Sequence, residues 1–96
     1  MEFLVEITNT WPADGDPDRK AGLALAESGR AAELARDGIL KKLWRIPGTT
    51  RNVGLWVAED ATALHAALSS LPFFPWLNIT VRPLAAHPND PGTGQV

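Results

Sequence analysis

The sequence contains no cysteine, only two histidines and no long apolar run. Without cysteine the chain can form no disulfide and no thiolate ligand, so we expect a cytoplasmic location. His65 and His87 are too far apart in the sequence for the usual spacing of zinc or iron ligands, so we expect no metal site. No stretch reaches the roughly 20 apolar residues of a membrane helix, and no basic segment precedes the first strand-like residues. We therefore expect no membrane span and no signal peptide.

Charge of one sign is also scarce. The chain has 9 basic and 11 acidic residues, a net charge of −2, and no run of either sign. Nucleic-acid sites and polybasic membrane anchors need clustered Lys and Arg, so we expect neither kind of partner. Glycine-rich phosphate loops and the Gly-x-Ser-x-Gly nucleophile motif are missing as well, which gives no support to nucleotide binding or an acyl-enzyme mechanism.

Large apolar side chains, by contrast, are abundant for so short a chain. Of 96 residues, 45% are hydrophobic and four are Trp. A domain of this length buries only about 60–65% of the surface of its extended chain, so one small core does not account for all of this apolar surface. The surplus indicates that some Trp residues line a pocket or lie at a subunit contact, and we expect a homo-oligomer.

Hydrophobic periodicity and turn residues predict six elements along the chain. They are strands over 2–9, 39–47, 51–58 and 76–82, and helices over 17–37 and 61–70. This β-α-β-β-α-β order is that of a ferredoxin-like α+β domain, a four-stranded antiparallel sheet with two helices on one face. We expect the domain to cover residues 1–88, a flexible tail to cover 89–96, and a second copy to cover the bare, apolar face of the sheet.

Capping residues set the predicted ends of these elements. Asp16 and Pro17 suit the N-cap and the first position of the long helix, and Gly38 suits its left-handed C-terminal cap. Asp60 suits the N-cap of the second helix. Pro83 is expected to end the last strand.

Side-chain alternation in the second strand bears on any site in this region. In a regular strand, successive side chains point to opposite faces. The pattern then places on one face Leu40, Lys42, Trp44 and Ile46, and on the other Lys41, Leu43 and Arg45.

Glu27 is the strongest candidate for chemistry. It lies with Leu23, Ala31 and Leu34 on one stripe of the long helix, which should face the sheet. A carboxylate on such a face loses hydration, so its pKa should rise towards the range of a general base at neutral pH. The alternative is an edge position in which Glu27 pairs with Arg30 one turn on.

Other residues have both a functional and a structural interpretation. His65 could act as a proton shuttle or a donor to a substrate, or bond only to the backbone. Asn52 could bind a ligand carbonyl or lie at the hairpin edge, and Asn78, too, is unusual in a strand. Arg45 could pair with a ligand carboxylate in a bidentate manner or face solvent. The large aromatic side chains could wall a pocket for a flat ligand or pack in the core or an interface.

Several motifs resemble those of muconolactone isomerases. The segment Leu43-Trp44-Arg45-Ile46-Pro47-Gly48, followed by Asn52, resembles the family's Leu-Trp-Arg-Ile-Ala-Gly and a later Asn. The run Leu71–Ile79, LPFFPWLNI, resembles the family's Leu-Pro-Leu-Phe-Pro-Tyr-Met-Asp-Ile, and a His-Pro pair near the end also matches. The resemblance covers roughly residues 1–88, and LPFFPWLNI is its most specific part.

This resemblance implies a ferredoxin-like fold, oligomers built from dimers and often described as decamers, and a reaction without a cofactor. Muconolactone isomerases move a ring double bond in a small carboxylated lactone during the catabolism of aromatic compounds. Glu27 aligns with a glutamate on the family's first helix, which implies that it removes one proton and returns it elsewhere. Asn52, His65 and Arg45 are then candidate donors to a dienolate-like intermediate. The remaining candidate substrate contacts are Trp44, Trp56, Phe74 and Asn78.

Departures around the expected pocket leave the substrate open. Thr49-Thr50-Arg51 replaces a His-Tyr-Ala segment, Val53-Gly54 replaces Tyr-Ser, and Asn78 replaces Asp. We therefore keep three hypotheses. The first is an isomerase of an unsaturated lactone, and the second is a cyclase, dehalogenase or cofactor-free oxygenase of secondary metabolism on the same scaffold. The third is a non-catalytic, oligomeric ligand-binding module.

Overall fold

The structure, a computed structural model, describes residues 1–93. The strands are β1 (Glu2–Asn9), β2 (Leu40–Arg45), β3 (Asn52–Val57) and β4 (Leu77–Leu84), and the helices are α1 (Pro17–Arg36) and α2 (Ala61–Ser69). Two short 3-10 turns cover Phe74–Trp76 and Pro91–Thr93. Every strand and helix ends within two residues of its predicted bound. Residues 94–96 of the predicted tail lie outside the described residues, and the division into a domain over 1–88 and a flexible tail stays a prediction.

The four strands form one antiparallel sheet in the order β2-β3-β1-β4. This is the strand order of the ferredoxin-like arrangement, so the predicted α+β fold is confirmed. Within residues 1–93, neither helix combines the length and the hydrophobicity that crossing a membrane requires.

The helix ends follow the predicted caps. The Asp16 side chain accepts a hydrogen bond from the N–H of Asp18, and Pro17 occupies the first position of α1. Gly38 has φ +76°, and it and Ile39 donate their N–H groups back to the last turn of the helix, which is a Schellman cap. The Asp60 side chain accepts from the N–H of Ala63 and starts α2.

The core lies between one face of the sheet and both helices. Phe3, Val5 and Ile7 alternate along β1 and are almost fully buried. They share one cluster with the buried side chains of the helices and of β3, so both helices pack on the same face of the sheet. The other members of this cluster are Leu34, Trp56, Leu64, Ala67, Leu68 and Leu71. Burying each large side chain contributes about 1.5–3 kcal/mol.

A β-bulge in β2 makes the predicted alternation of this strand wrong at its start. Leu40 pairs with Trp56 and Lys42 pairs with Leu55, so two steps along β2 match one step along β3. Lys41 is the extra residue, and it resets which face each side chain occupies. Leu40 therefore packs against the core, instead of sharing a face with Lys42.

Pro83 does not end the last strand, which continues to Leu84. The prediction failed because β4 is an edge strand of the sheet, next to β1 alone. An edge position tolerates a proline, since no second neighbour requires its missing N–H.

The outer face of the sheet, opposite the helices, is only partly apolar. The register pairs Trp44 with Val53 on this face, and Trp44 is 49% exposed. Further apolar positions on it are Leu4, Leu55, Val57 and Leu84. Glu6, Lys42 and Arg82 add charge to the same face, so the expected bare, apolar surface is a mixed one.

Truncating the centre of this core should destabilise the protein far more than truncating the outside of the same helix. Leu34 is fully buried in α1, so Leu34→Ala should lower the free energy of unfolding by about 2–5 kcal/mol. Leu25, on the same helix, is 78% exposed, so Leu25→Ala should change it by less than about 0.5 kcal/mol. Urea unfolding at one fixed protein concentration measures both. Equal losses for the two variants would contradict this assignment of the core.

Candidate active site

A cleft of about 600 Å³ opens on the helix side of the sheet, beside the N-terminal half of α1. Its lining residues are Asn9, Trp11, Lys20, Ala24, Glu27, Arg45, Thr49, Thr50, Asn52 and Phe73. A cleft of this size suits a small-molecule ligand. A second cavity, of about 130 Å³, lies on the outer face of the sheet and is lined in part by Leu4 and Arg82. We take the larger cleft as the candidate site because it contains Glu27.

Helical spacing brings three residues of α1 to this cleft. Lys20, Ala24 and Glu27 follow at i, i+4 and i+7, which places them on one side of the helix. Ala24 is small, so the helix leaves free space between the charged residues that flank it.

Glu27 is half-buried, and its carboxylate is held by the backbone. The N–H of Phe73 donates to Oε1 of Glu27 at 3.0 Å. Burial raises the pKa of Glu27 above its ordinary value, and the hydrogen bond from Phe73 offsets part of that rise. The alternative pairing with Arg30 is wrong, because the Arg30 guanidinium donates to Ser70 at 2.9 Å and lies 3.9 Å from Glu33.

Arg45 and Asn52 reach the cleft from neighbouring strands. They are register partners at the turn end of the β2–β3 hairpin, so their side chains share the helix-side face. The Arg45 guanidinium donates to the carbonyl oxygens of Thr50 and Arg51, which holds it against the turn. Oδ1 of Asn52 is buried and has no hydrogen-bond partner among the described residues, which leaves an unmet polar atom beside the cleft.

The cleft carries more positive than negative charge. Lys20 and Arg45 both line it, and Glu27 is the carboxylate among the lining residues. Within residues 1–93 neither cation has a carboxylate within 4.0 Å, since the ion pairs there are Arg30–Glu33 and Arg51–Glu6. An anionic group of a ligand would therefore meet two cations that are not already paired.

Two Trp residues predicted to contact substrate lie outside this cleft. Trp44 follows the alternation of β2 to the outer face of the sheet, opposite to its neighbour Arg45. Trp56 is 2% exposed and packs within the core. Its indole lies against Gly54, where a Cβ would come within 2.9 Å of Nε1 of Trp56.

Three further candidates, His65, Phe74 and Asn78, are not among the residues that line the cleft. His65 is on the exposed side of α2, and its ring meets that of Phe74 edge-on at 6.0 Å. Asn78 is paired with Thr8 across β4 and β1 and is exposed. Of the predicted site residues, the structure brings together Glu27, Arg45 and Asn52 at the cleft.

Within residues 1–93, no three His, Asp or Glu side chains come together as a metal site.

Several lining residues were not predicted from the sequence. Phe73, and not its neighbour Phe74, lines the cleft, and Phe74 is the first residue of the 3-10 turn that follows. Trp11 lies in the loop between β1 and α1, which has no periodicity to indicate its direction. The position of Lys20 could have been predicted, since it lies two helical turns before Glu27 on the same side of α1.

Comparisons with known proteins agree on one family. The sequence profile described as Muconolactone delta-isomerase matches residues 1–90. The chain is similar to Muconolactone Delta-isomerase 2 of Acinetobacter lwoffii, with 38% identity over 91% of each chain. It is 37% identical to Muconolactone Delta-isomerase of Pseudomonas aeruginosa over 93% of each chain. The corresponding protein of Rhodococcus opacus is 35% identical over 92% of this chain and 95% of its own.

A solved structure supports the same relationship. A crystal structure of muconolactone isomerase superposes with a TM-score of 0.88 at 37% identity, and the match covers 94% of both chains. The sheet and helices described above therefore match a known architecture over nearly the whole chain.

The raised pKa of Glu27 should appear in the pH dependence of stability. A carboxyl with a raised pKa in the folded state binds its proton more tightly there than in the unfolded chain. Its stabilising contribution is therefore complete below the pKa of the unfolded state and is lost as the pH rises through the folded pKa. We expect Glu27→Gln, which keeps an acceptor for the N–H of Phe73, to remove this loss and to gain stability relative to wild type towards neutral pH.

Thermal unfolding of both proteins between pH 3 and pH 8 measures this effect. Glu33→Gln is the matched control, because Glu33 lies on the same helix and its side chain is 54% exposed. A stability difference for Glu27→Gln that does not vary with pH, or that matches the Glu33→Gln profile, would contradict the raised pKa.

Proposed function

Because the chain belongs to the muconolactone delta-isomerase family, we propose that it is an isomerase that shifts a double bond in a small unsaturated lactone by carboxylate-mediated proton transfer. The observation that carries this proposal is the half-buried Glu27 carboxylate, held by the N–H of Phe73 in a cleft of suitable size. A cyclase, a dehalogenase, an oxygenase and a purely ligand-binding module are not favoured by the family membership.

Glu27 serves first as a base and then as an acid. Its carboxylate removes a proton from the ring carbon conjugated with the lactone carbonyl through the double bond, and the electron pair moves into the carbonyl to form a dienolate. The Glu27 carboxylic acid then returns the proton to the carbon next to the carbonyl, and the double bond has moved. The raised pKa suits both steps, because proton transfer is most efficient when the pKa of the group lies near the working pH.

The neighbouring polar residues have separate roles in this scheme. Asn52 donates from its amide to the oxygen that becomes negative in the dienolate, and such a donor commonly contributes 10²–10³-fold in rate, on the order of 3 kcal/mol. Arg45 and Lys20 bind the carboxylate of the substrate. Arg45 supplies the planar, anchored donor of this pair, and Lys20 supplies a mobile charge from α1.

The reaction needs no cofactor in this scheme. One proton leaves a carbon and returns to another carbon of the same molecule, so atoms and electrons balance without an oxidant, a reductant or a metal. Glu27 ends each cycle in the state in which it began.

Replacing the proposed proton carrier should abolish turnover without disturbing the fold. Glu27→Gln keeps the size and the acceptor atom of the side chain but cannot carry a proton, so kcat should fall by at least about 10²–10⁴-fold. The measurement is the loss of muconolactone followed by absorbance or by NMR, with circular dichroism to confirm folding. Glu33→Gln should retain wild-type activity. A folded Glu27→Gln variant with wild-type turnover would exclude the mechanism.

We also propose that the protein works in the cytoplasm as a homo-oligomer built from dimers that bury the outer face of the sheet, and that the dimers assemble further, up to a decamer. Trp44 and Leu84 support this proposal, because both are large apolar side chains that are more than 40% exposed on that face. They lie on the two edge strands, β2 and β4, so a contact that covers both would extend across the width of the sheet.

A charge placed on the outer face should break this assembly. Trp44→Glu should give monomers by size-exclusion chromatography with light scattering, because the new carboxylate would be buried without a partner in the contact. Leu25→Glu, the same kind of change on the exposed side of α1, should retain dimers or larger assemblies. A monomeric wild-type protein, or a Trp44→Glu variant with wild-type mass, would refute the proposed interface.

A further inference from the structure

Three aromatic rings meet edge to face next to the candidate site. The ring centroids of Trp11 and Trp76 are 4.7 Å apart with planes at 64°, and those of Trp11 and Phe73 are 6.0 Å apart at 76°. Phe73 and Trp76 are themselves 6.4 Å apart at 78°. These are the edge-to-face arrangements that aromatic rings prefer, so each ring restricts the other two.

Arg19 adds a cation to this cluster. Its guanidinium carbon lies 5.6 Å from the ring centroid of Trp11 and 5.2 Å from that of Trp76. Both distances are within the range of a cation–π interaction. Within residues 1–93 no carboxylate lies within 4.0 Å of Arg19, so its contacts with the two indoles are not weakened by a competing ion pair.

Hydrogen bonds also hold the loop before α1 at Thr10 and Trp11. The N–H of Thr10 donates to the carbonyl of Trp76 at 2.8 Å, and the N–H of Trp11 donates to the Asn9 side chain at 2.9 Å. Gly15 lies so close to the indole that a Cβ there would come within 2.4 Å of Nε1 of Trp11. The indole is therefore enclosed by its own loop and by the aromatic cluster, and its remaining surface lines the cleft beside Glu27.

We infer that Trp11 is the wall of the cleft on which the flat ring of the ligand stacks, and that Arg19, lying against both Trp11 and Trp76, positions it. This inference rests on the proposed function for the kind of ring, a planar unsaturated five-membered one. Phe73 links the two parts of the site, because its side chain contacts Trp11 while its N–H holds Glu27. A ring stacked on Trp11 is thereby held at a set position relative to the proton-carrying carboxylate.

Two small ligands of nearly equal size distinguish ring stacking on Trp11 from the other contacts of the ligand. Furan-2-acetate has a flat aromatic ring, and tetrahydrofuran-2-acetate has the same carboxylate on a puckered ring. Wild-type protein should bind the flat ring roughly 2–10-fold more tightly, as measured by isothermal titration calorimetry. Trp11→Leu should reduce this ratio of dissociation constants to about one. A ratio that Trp11→Leu leaves unchanged would overturn the inference.

Variants of Arg19 test the positioning role without removing the wall. Arg19→Gln should lower the flat-to-puckered preference to less than half of the wild-type ratio, and Arg19→Lys should restore most of it, because Lys can also form a cation–π contact. Arg36→Gln, an exposed arginine in the last turn of the same helix, is the control and should retain the wild-type ratio. If Arg19→Gln changes thermal stability but not the ratio, Arg19 is structural only, and the positioning role is refuted.

The binding ratio and the turnover assay distinguish the failure of this inference from that of the proposed function. If the protein prefers the flat ring through Trp11 but does not isomerise muconolactone, the stacking role of Trp11 is supported and the proposed enzymatic function is refuted. If the protein isomerises muconolactone but shows no preference between the two ligands, the proposed function is supported and the stacking role of Trp11 is refuted.

Discussion

The hydrogen bond from the N–H of Phe73 to Glu27 is the contact on which the site depends. It joins α1 to the segment after α2, across 46 residues of sequence. Burial alone would raise the pKa of Glu27 further and favour the protonated form, which cannot accept a proton. Solvent exposure would instead lower the pKa towards its ordinary value and make the carboxylate a weaker base. The single backbone donor keeps the group between these limits, and it aims the carboxylate into the cleft without adding a competing charge.

Phe73 also connects the candidate site to the buried part of the fold. Its side chain is 5% exposed and meets the rings of Trp11 and Trp76 edge-on. The same residue therefore needs a buried side chain and an N–H free to donate outside the regular elements. The tight Leu-Pro-Phe-Phe-Pro-Trp segment provides both, because it breaks α2 and forms a short 3-10 turn before β4 begins. The same segment is the most specific part of the family resemblance.

Local signals in the sequence were sufficient for the elements and for the acid–base candidate. Asp16, Gly38 and Asp60 act within a few residues, and the helical stripe through Glu27 is a property of one element. The features that the sequence did not predict depend on contacts with residues far away in the chain. The bulge at Lys41 arises from pairing with β3, the continuation of β4 through Pro83 depends on the edge position of that strand, and the direction of Trp11 depends on contacts with a segment 65 residues later.

The extra residue in β2 has a consequence for any attempt to redesign this scaffold. Leu40 and Arg45 are five positions apart, and in an uninterrupted strand an odd separation sends two side chains to opposite faces. Because Lys41 stands outside the pairing, Leu40 can pack against the core while Arg45 lines the cleft. In an idealised version of this strand, with every residue paired, either the Leu40 side chain would leave the core or the Arg45 side chain would leave the cleft.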